Sequence, residues 1–151
     1  MTTLNKPSSI PSDVRKELEE AFGIVPSFAL TTTPIALRAW WAGVRDFQLS
    51  EKTALDGKTK ELIGLGVAAQ IPCNYCVLFH TEAARLNGAT EAELQEAIFM
   101  ASLTRQGSTI LNGARLDEEV FESELQEIVS YIQEHGGSKE TNGKRAVKAT
   151  R

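Results

Sequence analysis

The sequence predicts an all-helical fold, and three features carry that expectation. Apolar residues recur at three- and four-residue spacing in one segment after another. Residues suited to helix starts and stops stand at the edges of those segments. No run alternates apolar and polar residues between turn signals, as a half-buried strand would.

Taken in order, Val14, Leu18 and Phe22 mark a first helix, with Ser12 as its N-cap, Asp13 in the positive first turn and Gly23 as its stop. Pro26 suits the start of a short second helix. Pro34 opens a third, whose apolar face is read as Leu37, Trp40, Trp41, Val44 and Phe47. Ser50 to Gly57 is a polar connector. Lys58 to Gln70 is apolar nearly all round, which predicts a buried central helix. Pro72 breaks the chain and suits the first turn of the next helix, from about Cys73 to Asn87, with Gly88 just past its end. Thr90 and Glu93 form a capping-box pattern ahead of Leu94, Ala97, Ile98, Ala101 and Leu111. Asp117 caps a last helix, with Val120, Phe121, Leu125, Ile128 and Ile132 expected to face inward. Gly136 and Gly137 end it, and His135 suits its negative C-terminal end.

The chain has 151 residues, 42% apolar and 24% charged, with a net charge of −4. That suits one helical domain over residues 1–137. Residues 138–151 hold five Lys and Arg and little to bury, which predicts a flexible basic tail. The acidic balance argues against a dominant nucleic-acid surface. No stretch approaches the roughly 20 apolar residues of a membrane helix, and Met1 to Asp13 lacks a signal-peptide core. A cytoplasmic location is expected, where thiols are normally kept reduced. Two cysteines three positions apart then point to redox chemistry or a metal rather than a disulfide framework.

The segment reads Pro72-Cys73-Asn74-Tyr75-Cys76-Val77-Leu78-Phe79-His80. On a helix, Cys73, Cys76 and His80 share one stripe, with Tyr75 and Phe79 to another side. A thiolate is the nucleophile, and the positive helix start favours it. An imidazole one turn along accepts a proton. The helix field favours Cys73 as the reactive thiol, and the nearer histidine favours Cys76. Glu61 lies twelve residues before Cys73, on one face with Gly64 and Ala68. It either pairs with His80 and fixes the imidazole tautomer, or sits in an exposed first turn.

These residues resemble a known family. Glu61, eleven residues, Cys73-x-x-Cys76, three residues and His80 look like the E-x11-C-x-x-C-x3-H signature of the AhpD-like alkylhydroperoxidases, within the carboxymuconolactone decarboxylase superfamily. Leu55-Asp56-Gly57-Lys58-Thr59-Lys60-Glu61 resembles the family's approach to its core helix, and Gly23-Ile24-Val25-Pro26 with Pro34 its N-terminal arrangement. The resemblance implies a core antiparallel helix pair carrying the CxxC motif, assembled as trimers or hexamers. It implies antioxidant peroxidase or disulfide-reductase activity without heme, flavin or metal, with a separate thiol reductant. By motif position Cys76 would attack peroxide, Cys73 would resolve it, and His80 with Glu61 would relay protons. The best-known members carry histidine where this chain has Tyr75, which points to a simpler relay.

Three alternatives stand beside that reading. Two thiolates, an imidazole and Glu61 are zinc ligand types, although one helix spreads the first three over about 10 Å. A partner-binding helical module would need neither thiol. A decarboxylase-like member of the superfamily is the third. Gly64-Leu65-Gly66-Val67-Ala68-Ala69 fits G-x-G-x-x-A, but no strand precedes it, so it is read as helix packing. Glu91, Glu93 and Glu96 are read as a solvated face.

Overall fold

The computed structural model describes residues 9–71 and 73–135. Among them every regular element is helical. Pro72 and the segments 136–137 and 138–151, read above as a helix break, a helix stop and a basic tail, lie outside the described residues. The chain divides into two compact units, Met1–Leu103 and Thr104–Arg151.

Helix α1 spans Ser12–Phe22. Its cap is Pro11 rather than Ser12, because the extended Pro11 carbonyl already accepts the first helical bond, from the Arg15 N–H at 2.9 Å. Gly23 ends the helix with φ 73°, a left-handed conformation that costs glycine little. A 3-10 turn at Ser27–Leu30 follows Pro26. Helix α2 covers Pro34–Gly43, with proline in its first turn and the Thr33 hydroxyl accepting the Ala36 N–H.

A π-helical turn, Val44–Gln48, extends α2. It closes with an i→i+5 bond from the Leu49 N–H to the Val44 carbonyl at 2.8 Å. The extra residue in the turn sets the following side chains back around the axis. Phe47, expected on the apolar face, is therefore 58% exposed, and Gln48 takes the inward place.

Helix α3 is Gly57–Gln70. Asp56 caps it, accepting the Thr59 N–H at 2.7 Å, and bonds from Thr59 hold the Asp56 carboxyl below its usual range. Helix α4 is Asn74–Leu86, and Gly88 follows with φ 83°. The two helices lie antiparallel, since Gly57 meets Asn87 while Gly64 meets His80. Leu65 and Ala84 are fully buried between them, with Leu94 of α5 (Glu91–Ala114) closing this core. Burying a leucine stabilises by about 1.5–3 kcal/mol. Only one face of α3 is covered: Ile63 and Val67 are exposed, so the expectation of burial all round fails. A second core in the same unit joins Val14 and Leu18 of α1 to Leu37 and Trp41 of α2.

The Thr90–Glu93 capping box forms in both directions. Glu93 is not part of a solvated face, since it also binds the Lys58 ammonium at 2.7 Å. Glu91 and Glu96 are exposed as expected, Glu91 in a surface pair with Arg85. In the second unit α6 spans Glu118–His135, and Asp117 accepts the N–H groups of Glu119 and Val120. His135 stacks on Tyr131 and bonds its carbonyl. The stripe Val120, Phe121, Leu125, Ile128 and Ile132, expected to face inward, is exposed in the single chain. Amphipathic spacing marks a face to be covered but does not say by what. Among the described residues no helix is long and apolar enough to cross a membrane.

Candidate active site

The site is built where α3 and α4 meet. Glu61 lies on the second turn of α3 and is only 2% exposed. One carboxylate oxygen, Oε2, is 2.7 Å from His80 Nδ1. The other, Oε1, accepts from Gln48 Nε2 at 3.0 Å. Of the two placements open for Glu61, the buried one holds. The unfavourable burial of a carboxylate is met by donors on both oxygens.

Gly64 lets the imidazole in. A Cβ at that position would overlap the ring atoms of His80. The glycine-containing stretch 64–69 thus serves helix packing, as its spacing predicts. Gly66 faces α5 at ordinary contact distance, where a Cβ would meet Ala97 and Ala101 at 3.6 and 3.7 Å.

Next to Glu61, Lys60 is also buried, at 8% exposure. Its ammonium points the other way, donating to the carbonyls of Phe47 and Ser50 and to the Thr53 hydroxyl. It lies 5.7 Å from the Phe47 ring centroid, a cation–π distance. Lys60 so ties the turn carrying Gln48 to the helix carrying Glu61.

Cys73 is the N-cap of α4 and Cys76 lies in its first turn. Their Cα atoms are 5.4 Å apart and the sulfurs form a disulfide. The Cys76 N–H also points at Cys73 Sγ, 3.3 Å away. Cys76 and His80 border one cavity of about 560 Å³, and Cys73 is not among its lining residues. Its wall is mostly apolar, including Phe22, Phe28, Leu37, Trp40 and Phe79. Tyr75 and Phe79, placed by helical spacing on another side, line this same cavity, because it is broader than a single stripe. Among the described residues no group of three or more His, Cys, Asp or Glu side chains is arranged to hold a metal ion.

Sequence reasoning missed Gln48. The only available signal was the helical register after Val44, and the π-turn breaks it.

The model of the carboxymuconolactone decarboxylase family matches residues 36–119, more than half of the chain. The chain belongs to the carboxymuconolactone decarboxylase family. The crystal structure of the alkylhydroperoxidase AhpD core from Rhodospirillum rubrum is similar, with a TM-score of 0.69 and 27% identity, covering 80% of this chain and 96% of that one. The all-helical architecture with its CxxC-bearing helix pair is thus the AhpD-like fold. A 55-residue stretch is 42% identical to "Uncharacterized protein 4 in cox locus" of Paracoccus denitrificans. That stretch is 36% of this chain and 50% of that protein, so the match spans half the relative's length. Family and structural neighbour together mark this chain as an enzyme-like AhpD member of the decarboxylase family.

Proposed function

We propose that this protein is a thiol peroxidase that reduces hydroperoxides through Cys73 and Cys76, with His80 and Glu61 as its proton relay. The observation that carries this reading is the contact at 2.7 Å between the buried Glu61 of α3 and His80 of α4, the helix whose start holds the cysteine pair, with Cys76 and His80 bordering one cavity.

In the reduced protein, Glu61 keeps the proton of His80 on Nδ1, leaving Nε2 to take the proton of Cys76. The Cys76 thiolate attacks the terminal peroxide oxygen. The O–O bond breaks, the alkoxide leaves with the proton from His80, and Cys76 becomes a sulfenic acid. The Cys73 thiol then gives up its proton and attacks that sulfur, and the hydroxyl leaves with that proton as water, closing the disulfide. Sulfur has lost two electrons and the peroxide has gained them. A dithiol reductant restores the pair by exchange, becoming a disulfide itself. If it attacks Cys76, the thiolate released at Cys73 is met by the Cys76 N–H and the start of α4.

The aromatic and aliphatic wall suits a hydroperoxide carrying an apolar organic group. Tyr75 flanks the cavity and supplies a hydrogen-bonding hydroxyl rather than a base. The exposed apolar stripe of α6 supports assembly into a homo-oligomer. Steady-state turnover of an organic hydroperoxide with a dithiol reductant tests the reading. Cys76→Ser should abolish turnover, and unchanged turnover in that variant would overturn it.

A further inference from the structure

We propose that Gln48 is a positioning residue of this site. Its side-chain amide pins the Glu61 carboxylate so that Oε2 stays on His80 Nδ1 and the other imidazole nitrogen remains free to act as the base. The inference rests on the relay proposed above but can be tested without peroxide.

The argument starts from the carboxylate. An ionised Glu61 can only accept hydrogen bonds, so the Gln48 group facing it at 3.0 Å must be the NH2 end. The amide therefore adds a donor and no charge. It satisfies one oxygen and leaves the other for the imidazole, which fixes the carboxylate's rotation about its last bond. Without this donor, a carboxylate held at 2% exposure would have one oxygen unsatisfied. It would turn to share its remaining partner or to reach water from the cavity, which Gln48 itself borders. Lys60 cannot substitute, because its ammonium is committed to Phe47, Ser50 and Thr53.

The backbone is shaped for this contact. The π-turn Val44–Gln48 is what brings Gln48 inward, and Lys60 fixes the residue next to it through the Phe47 carbonyl. Single π-turns inside helices are frequent at functional sites, where they re-aim a side chain. A merely space-filling residue here would not need an amide. Leucine would fill nearly the same volume.

That comparison is the test. Proton NMR of the oxidised, full-length protein should show a hydrogen-bonded His80 N–H signal that exchanges slowly with water, assigned by its absence in His80→Gln. In Gln48→Leu, exchange of that proton with water should speed up by about tenfold or more, as expected when one charge-assisted hydrogen bond is lost. Gln48→Glu, compared with wild type at a pH high enough to ionise both carboxylates, should lose the protection further, because two carboxylates then face each other; below that pH the pair shares a proton and the added carboxyl can still donate. Circular dichroism and the melting temperature of both variants establish that they are folded. If Gln48→Leu misfolds, the Gln48→Glu comparison carries the test alone. Equal exchange rates in wild type and folded variants would overturn the proposal, as would a wild-type spectrum without the signal. Failure of peroxide turnover would sink the peroxidase reading and leave this result standing.

Discussion

Gly64 decides whether His80 can occupy its place. The imidazole lies where any larger residue would put its Cβ, so the relay needs the absence of a side chain on α3 as much as it needs Glu61. Gly64→Ala should gain roughly 1 kcal/mol of helix propensity. It should lose about 1–3 kcal/mol to overpacking against the ring. The net change in melting temperature is then small, while turnover falls by about tenfold or more as the imidazole is pushed from Glu61. Calorimetry alongside the peroxide assay checks this. Full activity in Gly64→Ala would mean that the position of the ring does not matter. His80 was legible in the sequence because helical spacing puts it on the stripe of the cysteines, and Glu61 through the family signature, since its spacing alone left an exposed placement equally open. Gln48 was not, because it sits thirteen residues before Glu61, in a different element, and its inward aim depends on a backbone irregularity that no residue of Val44–Gln48 announces.

At the scale of the element, helix starts were the most readable feature. Thr90 and Asp117, read as caps, do place their side-chain oxygens on the backbone N–H groups that follow, whereas Ser12 yields its place to Pro11 and the caps Thr33 and Asp56 were not named. The start of α5 has a measurable pH consequence. The Lys58 ammonium, with the Thr90 N–H and hydroxyl, lowers the Glu93 carboxyl from its ordinary 4.5 to about 2. A carboxyl lowered by folding adds stability above its unfolded value, and that stability is lost as pH falls toward the folded value. Glu93→Gln should therefore be less stable than wild type at pH 7, with the gap closing between pH 4.5 and about 2. Urea unfolding across that range measures it. A gap independent of pH would show that the carboxylate's charge contributes nothing. Less readable were the faces of the helices. The apolar circumference of α3 gave no preferred side, and only packing in three dimensions buries Leu65 and Ala68 while leaving Ile63 and Val67 outside.

For the whole molecule, the exposed stripe of α6 is the feature a single chain does not explain. Val120, Phe121, Leu125, Ile128 and Ile132 are between 42% and 59% exposed. The sequence stated that this face must be covered, and the pattern is the same whether its own chain or a second copy covers it. With a second copy as the cover, light scattering after size exclusion should give a mass that is a multiple of 16.5 kDa. Ile128→Lys should lower that mass while leaving the helix content intact. A monomeric wild type would remove the assembly from the account. The fold was the most legible level, since helical periodicity and caps recur along the chain. The central claim concerns the chemistry of two sulfurs, and counting thiols tests it most directly. Reduced protein is exposed to one equivalent of an organic hydroperoxide, its remaining thiols are alkylated, and the products are weighed by mass spectrometry. The account predicts that both Cys73 and Cys76 become protected together and return on treatment with a dithiol. Both cysteines remaining fully alkylated after peroxide would contradict it.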